Sequence, residues 1–444
     1  MTPQTRSRWV IALLMLFVAI NFADKSIIGL AAAPMMKELG LSATQYGTIA
    51  SSFYLLFSIS AVVFGFLGNR FSAKWMMVAL AVIWSAAQLP ILVPAAGFAV
   101  LLITRVLLGA GEGPGVPLGM HVAFTWVEER KRGFTAALLT VGSGLGVIIG
   151  APLLNAAIAE WGWRSAFGIL GGIGLLWAIA WVIVGGDGPY STTASSATTA
   201  PPTTTSARKS APIAPAVVDE PRVPYRRLLT SGTWLGTMFS GFTVYWGLAL
   251  AIAFLPLYLG QAGFSGTALG FVVTVPAYVS IVFMLLGGWL SQRLLRRGLS
   301  RHLAQGVLGG AFTLVAGISM LLITRVDAPI LLLPFVALAF GIGNSQTPLS
   351  QAAVADVTPT RQRGATLGIW YAIVAVASVV SPLLTGVLVD AAPTPVVGYA
   401  RAFDIAGVLM VLGGLTAMLV VRPDRDAARH GLRRAVARPV TPVG

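Results

Sequence analysis

The chain contains no cysteine, so disulfides, thiolate metal sites and cysteine nucleophiles are excluded. It has only three scattered histidines and no H-E-x-x-H or comparable spacing, so no metal is expected. No G-x-x-x-x-G-K-[ST] run is present, which leaves ATP-driven chemistry without support, and no other cofactor is expected. A nucleophile–base constellation is also missing, so the chain is not expected to be an enzyme. Charge is scarce: 10% of the 444 residues are charged and 56% are hydrophobic, whereas soluble domains carry about 25% charged residues. That balance does not fit a disordered chain, a coiled coil or a soluble enzyme. It fits a multi-pass integral membrane protein.

A membrane-crossing helix needs about 20 apolar residues. Apolar runs between loop signals predict spans at 9–33, 45–67, 75–94, 98–120, 134–157 and 163–185. A second set is predicted at 233–258, 267–290, 302–323, 329–353, 364–389 and 401–421. The expected fold is therefore all-α, with twelve transmembrane helices in two pseudo-symmetric six-helix bundles. The expected organisation is an N-terminal bundle at 1–186, a cytoplasmic linker at 187–231, a C-terminal bundle at 232–422 and a basic cytoplasmic tail at 423–444. From Ser191 to Ser206 the linker is almost wholly Ser, Thr, Ala and Pro, too polar to offset ordering entropy by burial, and it is expected to be flexible. Arg6 and Arg8 precede an apolar run with no A-x-A-like end, so a cleaved signal peptide is not expected.

The 30 basic and 15 acidic residues leave a net charge of +15. In a soluble protein this would point to nucleic acid. Here 24 of the 30 basic residues fall on segments that are cytoplasmic if both termini are inside. They include Arg70, Lys74, the run Arg130-Lys131-Arg132, and Arg293 with its neighbours. Lys37, Arg164, Arg325 and Arg401 lie outside, and Lys25 and Arg105 lie within spans. This split follows the positive-inside rule and accounts for most of the excess without nucleic acid. The expected setting is a bacterial cytoplasmic membrane, with lipid as the surrounding partner and a monomeric chain.

The halves repeat. Gly65-Phe66-Leu67-Gly68-Asn69-Arg70 aligns with Gly288-Trp289-Leu290-Ser291-Gln292-Arg293. Pro117-Leu118 and Arg130-x-Arg132-Gly133 align with Pro348-Leu349 and Arg361-x-Arg363-Gly364. Transporters built from such repeats bind substrate between them. Ile20-Asn21-Phe22-Ala23-Asp24-Lys25, Arg105-Val106-Leu107-Leu108-Gly109-Ala110-Gly111-Glu112 and Trp126-x-x-Glu129-Arg130 carry a further signal. With these motifs the chain resembles the major facilitator superfamily, and within it the anion:cation symporter family. The resemblance implies the major facilitator fold and proton-coupled symport of a small organic anion by alternating access. It also departs from the pattern. Asn69 and Gln292 replace the acid of the loop motif, which normally helps latch the bundles, and Lys25 replaces an arginine. Phe57, Ala61 and Ala375 stand where the family carries polar residues. Burying the hydroxyls of a sugar acid without partners is costly, so a less hydroxylated carboxylate, such as an aromatic one, is expected.

Asp24, Lys25, Arg105 and Glu112 are the ionisable residues inside the first-half spans. Such residues cost roughly 2.5–3.5 kcal/mol each at the bilayer centre and usually face a cavity or one another. Asp24 and Glu112 are the expected proton-coupling residues. Lys25 is expected to bind the substrate carboxylate, with Arg105 supporting it or pairing with an acid. Tyr54, Phe57, Tyr245, Trp246, Trp370 and Tyr371 are candidates to stack on substrate, and Asn344 and Gln346 to hydrogen-bond it. The alternative functions are proton-coupled efflux of drugs or metabolites, and a membrane sensor or scaffold. For efflux, Gly146-x-x-x-Gly150-Ala151-Pro152 only approximates the antiporter motif. Gly142, Gly146 and Gly150, spaced by four, predict a face on which two helices approach closely.

Overall fold

The computed structural model describes residues 3–67, 71–128, 131–190, 222–326 and 328–432. All regular structure among the described residues is helical. The long helices are α1 (Gln4–Leu30), α2 (Ala43–Leu67), α3 (Ala73–Leu92), α4 (Phe98–Thr125), α5 (Phe134–Trp161) and α6 (Trp163–Val184). They continue with α7 (Gly232–Gln261), α8 (Gly266–Arg296), α9 (His302–Ile323), α10 (Pro329–Val357), α11 (Thr360–Asp390) and α12 (Pro395–Val420). Eleven of them are long and apolar enough to cross a membrane, and the 25-residue α2 completes the twelve. Most ends fall within a few residues of the predicted spans. An exception is α12, which starts at Pro395 rather than 401. Thr394 accepts a hydrogen bond from the Val397 amide there, and Pro395 supplies the preset φ of a first turn.

Helix pairing repeats between the halves. In the first, α1 packs on α5 and α6, α2 on α4, α3 on α4 and α6, and α5 on α6. In the second, α7 packs on α11 and α12, α8 on α10, α9 on α10 and α12, and α11 on α12. The glycine face of α5 meets α1 in register: Gly142 lies against Met15, Gly146 against Ala19 and Gly150 against Ala23. A side chain at Gly146 would strike the Ala19 carbonyl directly.

Twelve antiparallel passes put the start of α1 and the finish of α12 at one end, which also carries Arg6, Lys74, Arg293 and Arg422. We call this the basic end. Across the halves, α2 packs on α11, α5 on α8 and α1 on α7. Hydrogen bonds between the halves cluster at the far end. Asp390, the last residue of α11, accepts from the Ala43 amide at 2.9 Å and the Thr44 amide at 2.8 Å, at the start of α2. The Tyr46 hydroxyl donates to the Ala253 carbonyl at 2.6 Å. Asn155 donates to the Gly266 carbonyl at 2.6 Å. The halves are therefore closed against each other at the far end.

Part of the expected linker and tail is ordered against the second half. Gln362 exchanges two hydrogen bonds with the Val223 backbone. The short helix Pro423–Arg429 docks through Asp426, which is 1% exposed. Its Oδ2 accepts from the Thr233 amide at 2.8 Å and hydroxyl at 2.7 Å, satisfying donors at the start of α7. Asn69 and its loop, Glu129 and Arg130, the Ser191–Ser206 stretch and the tail from 433 onward lie outside the described residues.

Candidate functional site

One irregularity lies at the site and a second at its counterpart in the other half. Helix α4 is interrupted immediately after Glu112: one helical segment ends there and the next begins at Gly115. Pro114 lies in the gap and has no N–H to offer the preceding turn, which weakens the helix at that point. Helix α10 breaks at the corresponding place, with a 3₁₀ turn at Gly343–Ser345. Discontinuous helices are where transporters of this architecture gather their polar groups.

Asp24, Lys25, Arg105 and Glu112 converge on one region of the first half. Asp24 is 0%, Glu112 1% and Arg105 2% exposed. The Lys25 ammonium lies 3.6 Å from Glu112 Oε2 and donates to Asn21 Oδ1 at 2.6 Å. It also sits 4.4 Å from the Phe22 ring centre and 5.0 Å from that of Phe57, within cation–π range. Asp24 turns away from Lys25, and its Oδ2 accepts from Gln88 Nε2 at 2.7 Å. Arg105 lies over Phe167, 5.0 Å from the ring centre. It makes no ion pair among the described residues, and its Nε and Nη2 meet no acceptor. Neither carboxyl oxygen of Glu112 meets a donor at hydrogen-bond distance. Buried polar atoms are almost always partnered, so this concentration of unpaired donors and acceptors marks the region chemically.

Lys25, Tyr54 and Arg105 face a narrow cleft between the halves, whose other walls include Ile28, Phe53, Ile252 and Pro382. Phe57 flanks the cleft through its ring contacts with Phe53 and Tyr54. In the second half Tyr245 and Tyr371 form an edge-to-face pair 6.4 Å apart, and Tyr371 is 44% exposed and bonded to Gln351. Neither tyrosine, nor any other second-half candidate, is among the residues that line the cleft. Trp370 is 0% exposed and packs into a cluster with Trp234, Val354 and Val374. Trp246 is buried in the main core. Gln346 bonds Ser350 on its own helix and lies against Gly309 of α9, and Asn344 bonds Ser280. Reading the sequence for charge missed Gln88 as a partner of Asp24, and Asn21 as a partner of Lys25.

Outside the spans, Glu38 pairs with Arg164 and accepts from the Trp163 indole at 2.7 Å. The guanidinium, and then the indole N–H, hold the Glu38 carboxyl below its usual range. This ties the short helix Ala32–Leu39 to the start of α6.

The paired six-helix arrangement with buried charges beside an interbundle cleft defines a membrane transporter built on an internal repeat. The sequence pattern of the Major Facilitator Superfamily matches residues 14–345 and 306–444, and the chain belongs to that family. It is a transporter and not an enzyme. It is 27% identical over 444 residues to the probable sulfoacetate transporter SauU of Cupriavidus necator, covering 95% of this chain and 97% of that one. It is 28% identical over 426 residues to the hexuronate transporter of Bacillus subtilis, covering 93% and 94%. Among solved structures, the D-xylose–proton symporter superposes with a TM-score of 0.74 at 16% identity, covering 94% of this chain and 98% of that one. A bacterial homologue of the human lysosomal transporter Spinster superposes with a TM-score of 0.71 at 17% identity, covering 96% and 97%.

Proposed function

We propose that this chain is a proton-coupled symporter of a small organic anion, with its basic end in the cytoplasm of a bacterium. The observation that carries the reading is Arg105: a buried guanidinium at the interbundle cleft with two donors unpaired. An intramembrane cation without a partner is a site for an anion. The geometry favours Arg105 as the primary carboxylate ligand and Lys25 as the secondary one, because Lys25 is already engaged by Glu112 and Asn21. Arg105 also offers the planar fork that matches a carboxylate.

Proton coupling follows from charge balance. Two buried acids and two buried bases are neutral when all are ionised. An entering monoanion adds one negative charge, and one proton on Asp24 or Glu112 restores neutrality before the cleft closes. The four groups are close enough for this exchange, with Glu112 between Lys25 and Asp24. With the basic end in the cytoplasm, the far-end hydrogen bonds close this conformation towards the outside.

The relatives named for sulfoacetate and hexuronate support an organic anion as cargo. Away from Lys25, Tyr54 and Arg105 the cleft walls favour a sparsely hydroxylated one, since Ile28, Ala50, Phe53, Ile252 and Pro382 offer no side-chain hydrogen bonds. A polyhydroxylated acid would leave the hydroxyls that face those apolar walls unpaired, at a cost of about 1–3 kcal/mol each. Competition of uptake by benzoate-like acids against aldonates tests this. The expected result is competition by the aromatic acids; strong competition by aldonates alone would overturn the substrate assignment.

A further inference from the structure

Asp24 sits at a depth where a carboxyl needs a partner, and the one it bonds is neutral. Gln88, the last residue of the α-helical part of α3, points its amide at Asp24 with both side chains 0% exposed. Its Nε2 donates to Oδ2 at 2.7 Å, while its Oε1 meets no donor. The charged groups facing Asp24 are Arg105 and Glu112 from α4 and Lys25 from α1; from α3 the Trp84 indole faces it as well. None of the cations is within ion-pair distance of Asp24 among the described residues. A contacting cation would hold Asp24 ionised. An amide has no such preference, because it carries both a donor and an acceptor.

We infer that Gln88 is a positioning residue that holds the Asp24 carboxyl in both its ionised and its protonated form. The inference rests on the reading of Asp24 as a proton carrier. When Asp24 is ionised, the Gln88 N–H donates to the carboxylate. When a proton arrives on Asp24, rotation of the amide presents Oε1, which accepts from the new O–H. One proton is gained and one hydrogen bond is exchanged for another. Gln88 thus keeps one hydrogen bond on the carboxyl in both states, beside the Glu112 carboxyl and the Trp84 indole that also face it. Gln88 touches neither substrate nor the cleft, and acts through Asp24 alone.

Infrared pH-difference spectroscopy of the full chain in lipid tests this without a substrate. The probe is the carbonyl stretch of the protonated carboxyl, assigned to Asp24 by its loss in Asp24→Asn. In Gln88→Leu the titration midpoint of that band is expected to rise by about one pH unit. The charge-assisted bond to the ionised form is the stronger of the two that are lost, so its loss favours the protonated form. The band should also change frequency, because the protonated carboxyl has lost the Gln88 acceptor. Gln88→Met, which keeps the chain length, is expected to do the same and serves if the leucine variant does not fold. A hydrogen bond that served only the ionised carboxylate, tying α3 to α1, would raise the midpoint but leave the frequency of the protonated band where it was, which would overturn the proposal. If Asp24→Asn removes no titrating band, the underlying reading of Asp24 fails, an outcome distinct from an Asp24 band that ignores Gln88.

Discussion

Replacing Asp390 with alanine should loosen the far end of the molecule. Its carboxylate accepts from two consecutive amides, Ala43 and Thr44, at 2.9 and 2.8 Å. Those amides belong to the unsatisfied first turn of α2, so an acid on α11 caps a helix in the opposite half. Losing a helix cap costs about 1 kcal/mol, and losing the anion at the positive end of the helix adds about 0.5 kcal/mol at an exposed site. The sum, about 1.5 kcal/mol, corresponds to roughly tenfold in the ratio of far-end-open to far-end-closed molecules. The proposed cycle requires the halves to part here, so the change acts on a step that transport uses. Because the chain lacks cysteine, spin labels at Ala95→Cys and Thr267→Cys can report the distance across this end without background. Asp390→Ala should shift the distance distribution towards longer separations, and Asp390→Asn, which keeps one acceptor oxygen, should shift it less. An unchanged distribution in a folded Asp390→Ala protein would refute the reasoning.

Glu38→Gln should lower the thermal midpoint at neutral pH. The Arg164 and Trp163 contacts depress the Glu38 carboxyl, so their stabilisation is present above the ordinary carboxylate range and disappears as pH falls through the depressed value. The two proteins should therefore melt together in acid; a gap that persists there would contradict the assignment. Gly146→Leu should cost about 1–3 kcal/mol by driving α5 away from the Ala19 backbone, read as a lower midpoint in detergent. Arg105→Gln should weaken anion-dependent thermal stabilisation about 10- to 100-fold in apparent affinity, as expected for losing a charged hydrogen-bonding partner.

The spans were legible because each carries its own hydropathy, independent of its neighbours. The four buried charges were legible for the same reason, since an ionisable residue in an apolar run is conspicuous. Gln88 and Asn21 were not, because a neutral amide in a membrane helix looks alike whether it bonds a carboxylate or packs against a neighbour. Trp246 and Trp370 show the complementary limit. An aromatic can face the cleft or the inside of its own bundle, and helical position in the sequence does not say which. Asp390 falls just past the predicted span 364–389, and its capping of another helix across the two halves leaves no local pattern in the sequence. The relative roles of Lys25 and Arg105 also depended on geometry: both were visible as cations, but only the structure shows which one is already paired.

The most direct test of the central claim is uptake of a radiolabelled carboxylate, chosen from a binding panel, into liposomes under an imposed pH gradient. Acid outside and neutral inside should drive accumulation above equilibrium, and collapsing the gradient should abolish it. Glu112→Gln should lose accumulation while keeping exchange of bound substrate. Accumulation that ignores the gradient, or that persists in full in Glu112→Gln, would contradict proton-coupled anion symport through this site.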